Sequence, residues 1–218
     1  MKKIIFLGPP GSGKGIVSQR VAPTIKAQHI SIGELFRQNL KEQSEIGLKA
    51  KEFMEKGELV PDEIVIEMLK QRIEKEDCKK GFILDGFPRT IPQAQSLHKL
   101  IEIDVAVHMN VTEEVIIIRN ATRVSCKDCG QIYNLRTSSP KKQGICDNCQ
   151  GQVIRRKDDE PEVMRNRLKV YQDQTYPLID FYKDKGVLAE VFCDKIEQTP
   201  EETFQQVMEA INKFLEEK

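Results

Sequence analysis

The chain has 218 residues, with 34 Lys plus Arg against 34 Asp plus Glu, 39% hydrophobic and 31% charged. This suffices for one good core and a small inserted subdomain, and the balanced charge leaves no global field to draw the protein onto nucleic acid or an anionic membrane. No apolar stretch approaches the roughly 20 residues of a membrane span, and the run after Met1, Lys2 and Lys3 ends at Gly8, too short for a signal peptide, so a cytoplasmic protein is expected.

The first strand, Ile4 to Leu7, runs into Gly8, Pro9, Pro10, Gly11, Ser12, Gly13, Lys14 and Gly15, and a helical pattern follows from Ile16 to about Ala27. Strand, glycine loop and helix is the order of a phosphate cradle. The glycines let successive N–H groups and the helix N-terminus face phosphate oxygens, while Lys14 adds a point charge. Gly15 stands where a strict P-loop has a metal-binding Ser or Thr, and a glycine turn without phosphate is the alternative. After a break at His29–Gly33, the region 31 to about 60 reads as polar helix, and Pro61 opens another helix with Ile64, Val65, Met68, Leu69 and Ile73 inward.

A short apolar strand, Phe82 to Asp85, ends in Gly86, Phe87, Pro88 and Arg89, so Asp85 and Arg89 fall at a strand's C-terminal edge, where open α/β sheets bind ligands. A strand from Val105 to Met109 and a helix from about Thr112 to Arg119 come next. Beyond Pro161 an amphipathic helix carries Val163, Met164, Leu168 and Tyr171. A strand, Val187 to Phe192, then returns to the sheet, and Thr199, Pro200 and Glu202 form a capping box for the last helix. Alternation of strand and helix predicts an α/β fold, a doubly wound, mostly parallel sheet with helices on both faces.

Between these lies a segment of different composition. Cys126 and Cys129 are followed after sixteen residues by Cys146 and Cys149, the spacing of a four-cysteine zinc site. Four thiolates close a tetrahedral shell, so such a metal is structural, and it substitutes for the core that a β-rich piece of 122–159 is too small to build. Disulfides or free thiols are the alternatives. Cys78 and Cys193, each alone, read as small buried residues. His29, His98 and His108 read as structural, with no convincing Ser/His/Asp set.

In this order the motifs resemble the adenylate kinase family, in its long-lid form with a zinc-bearing lid. They are Gly8–Lys14, His29–Gly33 with Arg37, Gly57–Val60, Asp85–Arg89 with Gln93, Arg119, Arg123, the cysteines with Tyr133, Arg156–Asp159, Arg167, and Pro177 with Leu178. The resemblance implies a P-loop nucleoside monophosphate kinase fold. Its core would be 1–30, 61–121 and 160–218, with a helical monophosphate-binding insert at 31–60 and the lid at 122–159. It implies transfer of the terminal phosphoryl group of MgATP to AMP, giving two ADP, in a monomer that uses neither nucleic acid nor membrane.

By the same resemblance ATP meets Gly11, Ser12, Gly13, Lys14, Gly15 and Ile16, then Arg119, Arg123, Ile132 and Tyr133, with a backbone contact placed at Gln198. AMP meets Ile32, Arg37, Glu58, Leu59 and Val60, then Gly86, Phe87, Pro88, Arg89 and Gln93, with Arg156 and Arg167 bridging the phosphates. Lys14, Arg89, Arg123, Arg156 and Arg167 would neutralise charge, and Asp85 would orient Mg2+ through water. The family commonly has Thr at positions 16 and 32, where this chain has Ile, and Gly and Arg where it has Thr122 and Val124. The attacking group is already an anionic phosphate oxygen, so the chemistry needs positioning rather than a strong base. A kinase for another base remains an alternative. So does a zinc-ribbon nucleic-acid-binding protein, although 122–159 holds only eight Lys or Arg against four Asp or Glu.

Overall fold

The computed structural model describes residues 2–216. Five strands, β1 (Lys2–Leu7), β2 (Gln28–Ser31), β3 (Gly81–Asp85), β4 (Val105–Asn110) and a later strand at Leu188–Phe192, form a parallel sheet in which β1 lies between β3 and β4. The chain winds from β1 to one side through β2 and β3, then to the other side. The crevice above the C-terminal ends of β1 and β3 is the switch point of a doubly wound sheet.

Both faces of the sheet are covered, which is why its strands are apolar without alternation. Ile5, Leu7, Ile30 and Leu84 face one core. Ile4, Phe6, Ile83, Val105 and Val107 face the other. The first core is closed by α2 (Ile32–Lys41), α3 (Glu45–Lys56), α4 (Asp62–Ile73) and α5 (Ile91–Leu100), and by the later helix at Leu178–Asp184. The second is closed by α1 (Lys14–Thr24), α6 (Glu113–Ala121) and the last helix, Pro200–Glu216. That last helix begins with the expected capping box: Glu202 N–H donates to Thr199 Oγ1 (3.2 Å) and Thr199 N–H donates to the Glu202 carboxylate (2.8 Å).

The second sheet is antiparallel, with β5 (Arg123–Cys126) between β6 (Ile132–Asn134) and β7 (Val153–Ile154). The chain re-enters the core through α7 (Pro161–Val170), a π-helical stretch at Tyr171–Thr175, α8 (Leu178–Asp184), β8 (Leu188–Phe192) and α9 (Pro200–Glu216). No helix among the described residues is long and apolar enough to cross a membrane.

Several boundaries differ from the sequence reading. The first helix stops at Thr24 rather than Ala27, one residue after the internal Pro23. Pro61 is the N-cap of α4, outside the first turn. The break at His29–Gly33 holds most of β2 and the start of α2, and the partners of β2 lie on β3 and not in its own polar sequence. The helix expected beyond Pro161 loses α-helical pairing at Tyr171.

Candidate active site

The loop after β1 begins with Gly8 at φ 146°, where a Cβ would come 2.7 Å from the Met109 carbonyl oxygen, and it ends with Gly13 at φ 95°, the left-handed N-cap of α1. Within the loop the Lys14 ammonium donates to the carbonyls of Gly8 (2.6 Å) and Pro9 (2.8 Å) and to Ser12 Oγ (3.2 Å). Enclosure there pushes its pKa down to about 7. Asp85 pulls it upward, while Arg89, Arg167 and Arg123 add to the depression.

Across the cleft, Arg89 is held by its backbone: its N–H donates to Gln93 Oε1 (2.8 Å) and its carbonyl accepts from Thr175 Oγ1 (2.8 Å). Its Nε donates to the Gly86 carbonyl (2.9 Å), and it makes no ion pair among the described residues. Burial lowers the Arg89 pKa, and it brings those of Arg156 and Arg167 down to about 10, so the latter two remain charged at neutral pH. Arg167 Nη1 lies 3.2 Å from Asp158 Oδ2, and Arg123 grips the fully buried Asp159 through Nε (2.9 Å) and Nη2. Asp85, the last residue of β3, points into the same cleft, with His29 Nε2 3.9 Å from its carboxylate.

The β5–β7 sheet reaches over the cleft to α2. Arg156 donates through Nη2 to Glu34 (2.9 Å) and through Nε to Ser125 Oγ (2.8 Å), and Arg37 pairs with Glu34. Gly130, at φ 74°, abuts Glu34 so closely that a Cβ would lie 2.5 Å from its carboxylate. The 122–159 and 31–60 segments therefore meet above the cleft.

Of the residues expected on the ATP side, Gly11, Gly13, Lys14, Gly15, Arg123 and Ile132 line this cleft. On the AMP side Ile32, Arg37, Glu58, Leu59, Val60, Gly86, Pro88, Arg89, Gln93, Arg156 and Arg167 do. Others lie outside its wall. Ser12 and Phe87 are buried, Ile16 is half-buried on α1, and the Tyr133 hydroxyl sits among the cysteines, 3.3 Å from Cys146 Sγ, where it accepts from Asp147 N–H (2.8 Å). Arg119 bridges the Ser12 and Lys195 carbonyls (both 3.2 Å), and Gln198 N–H donates to the same Lys195 oxygen (3.2 Å), so these two converge beside the loop. Sequence reasoning assigned no role to the carboxylates Glu34, Asp158 and Asp159 that hold the arginines in place. Their adjacency to Arg37 and Arg156 along the chain was the available signal.

Cys126 and Cys149 Sγ atoms lie 3.4 Å apart, Cys129 and Cys146 3.6 Å apart, and all four sulfurs fall within 4.8 Å of one another. A disulfide requires about 2.05 Å. Four ligands at about 2.3 Å from a tetrahedral metal sit about 3.8 Å apart, so the set fits a metal ion.

A parallel sheet with a glycine loop and lysine at its switch point, facing a cleft lined with arginines, defines a P-loop phosphotransferase of the nucleoside monophosphate kinase type. The adenylate kinase family profile matches residues 6–187. The adenylate kinase of Lachnospira eligens is 47% identical over 194 residues, covering 87% of this chain and 91% of that protein. That of Caldicellulosiruptor bescii is 48% identical over 192 residues (86% and 89%), and that of Clostridium botulinum, strain Loch Maree, 45% over 194 (87% and 90%). The chain belongs to the adenylate kinase family, phosphotransferases that reversibly convert ATP and AMP to two ADP.

Proposed function

We propose that the chain performs this transfer in the cleft between the glycine loop and the 31–60 segment, the latter serving as monophosphate-binding insert and 122–159 as lid over the core. The observation that carries the reading is the convergence of Lys14, Arg89, Arg123, Arg156 and Arg167 on one cleft, with Lys14 and Arg89 free of carboxylate partners among the described residues. ATP phosphates lie on the loop. Arg37, Arg89 and the 58–60 stretch hold AMP, and Gln93 faces its base. Arg123, Arg156 and Arg167 neutralise the charge that spreads over the transferring group. Contact of lid with insert excludes water, which keeps hydrolysis from competing with transfer. The Asp85 carboxylate fits the place of a Mg2+ ligand acting through water, and the ion supplies charge neutralisation on the ATP oxygens. Zinc occupies the four cysteines as structure. The protein works as a cytoplasmic monomer on ATP and AMP, without nucleic acid or membrane.

A coupled assay of ADP formation from MgATP and AMP tests the reading. Binding of ATP with no conversion of AMP would refute it.

The low pKa of Lys14 leads to a second expectation. In the free protein the ammonium loses its proton at about 7, and phosphate oxygens beside it favour the charged form. Nucleotide binding at pH 8 should therefore take up as much as one proton per chain, and less at pH 6, where the lysine is already charged. Titration calorimetry in buffers of different ionisation enthalpy measures this directly, and an enthalpy independent of buffer at pH 8 contradicts it. In the free protein the same shift makes stability rise with pH between about 7 and 10.5, because the unfolded chain there holds the extra proton.

Ile32, only 3% exposed, lines the cleft on the expected monophosphate side, where the resemblance to the family implies a threonine hydroxyl. A neutral hydrogen bond contributes about 0.5–1.5 kcal/mol. Ile32→Thr should lower the AMP Michaelis constant by a factor of a few and leave that of ATP unchanged. Movement of the ATP constant alone would place this residue in the other site.

A further inference from the structure

We infer that Asp62 is a positioning residue: it fixes which way the Gln93 side-chain amide faces, and thereby sets the preference for a 6-amino over a 6-oxo purine monophosphate. The inference rests on the reading of Gln93 as the group that faces the acceptor base. Asp62 opens α4 behind the cleft wall, whereas Gln93 lines the cleft and is 2% exposed. Asp62 Oδ1 accepts from Gln93 Nε2 at 2.6 Å and Oδ2 accepts from Thr90 Oγ1 at 3.1 Å. Thr90, the N-cap of α5, accepts in turn from the Gln93 backbone N–H at 3.2 Å. At the other end of the amide, Gln93 Oε1 accepts from the Arg89 N–H at 2.8 Å.

A carboxylate can only accept and a backbone N–H can only donate, so these two neighbours admit one of the amide's two orientations. Turning the amide over would set its oxygen against the carboxylate and its nitrogen against the Arg89 N–H. Both hydrogen bonds would be lost in a place with little water to replace them. One N–H and one carbonyl lone pair of Gln93 remain, in a fixed order. Adenine offers the N6 donor beside a ring-nitrogen acceptor, and a glutamine amide matches that pair. A 6-oxo purine reverses it on its Watson–Crick edge, with an O6 acceptor beside an N1–H donor. An amide free to turn would serve both bases; one held by the Asp62 carboxylate together with the Arg89 N–H serves the first, and Asp62 supplies the charged and stronger of the two restraints.

The test measures kcat and KM with AMP and with inosine monophosphate, at saturating MgATP, for the full chain and for Asp62→Ala, Asp62→Asn, Gln93→Ala and the Asp62→Ala/Gln93→Ala double variant. Asp62→Ala should lower the ratio of kcat/KM for the two acceptors by about tenfold, the effect of one lost charged hydrogen bond. The change should lie in the acceptor KM values, with the ATP constant and the kcat for AMP within about twofold of the starting protein. Adding Asp62→Ala to Gln93→Ala should change the ratio no further, a result that general loosening of α4 would not give. Asp62→Asn keeps the size of the side chain, presents either atom to Gln93, and should move the ratio in the same direction. It carries the test if Asp62→Ala folds poorly. An unchanged ratio in the folded Asp62 variants while Gln93→Ala loses it, or additive losses in the double variant, overturns the inference. An unchanged ratio in Gln93→Ala overturns instead the placement of the acceptor base.

Discussion

Replacing Arg89 by alanine is expected to lower kcat by on the order of 10³–10⁵, the loss that follows removal of an arginine from a phosphoryl transition state. The local structure suits that role. Its backbone is held at both N–H and C=O, by Gln93 and Thr175, and these contacts survive truncation of the side chain. Its guanidinium spends one N–H on the Gly86 carbonyl and has no carboxylate partner among the described residues, so its charge is available to an anion. Folding stability should change little, because the removed cation depresses the pKa of Lys14, and its loss relieves repulsion in the empty cleft. Arg89→Lys should recover only part of the rate, since a point charge lacks the two-pronged geometry that fits phosphate. A rate within tenfold of the starting protein, with unchanged melting, would mean that Arg89 does not reach the transferring group.

The parts of this protein legible in its sequence are those whose cause is local. The glycine loop is one, because left-handed backbone at Gly8 and Gly13 and the close approach to Met109 leave a residue pattern that few other arrangements need. The last helix is another, its capping box written in four consecutive residues. Elements whose cause is distant were harder to read. β2 has a single fully buried residue, Ile30, and is a strand because β3 lies beside it. β5 reads Arg, Val, Ser, Cys with no alternation of burial, and it is held by β6, β7 and the cysteine cluster. The same holds within the site. Individual arginines are uninformative, since most are solvated, and their meaning comes from order along the chain. The carboxylates that aim them, Asp158 and Asp159 among them, act across the fold on Arg123 and Arg167, and their adjacency to Arg156 along the chain is the one signal they leave. The Tyr133 hydroxyl lies between Cys146 Sγ and the Asp147 N–H, where it can orient a cysteine ligand, a contact that no spacing along the chain announces.

One zinc ion per chain is expected on Cys126, Cys129, Cys146 and Cys149, and removing it should unfold the 122–159 segment selectively. The buried apolar contacts of that segment amount to Cys126, Tyr133 and Cys146, with Val124 and Val153 packed against them. Three short strands with so small a core cannot offset the conformational entropy lost on ordering the 122–159 segment. Metal held by the folded segment and not by the unfolded one contributes folding free energy that this core lacks. Chelation under conditions that keep the thiols reduced should lower the melting temperature and abolish hydrogen-exchange protection in 122–159, while the strands of the parallel sheet stay protected. The four thiolates leave no open coordination position, so the metal does no chemistry itself. Replacing zinc by cobalt(II) should give the visible bands of a tetrahedral thiolate site and leave turnover nearly unchanged. Elemental analysis that finds no metal in the purified protein, with its thiols paired as disulfides, would assign the stability of this segment to covalent links instead.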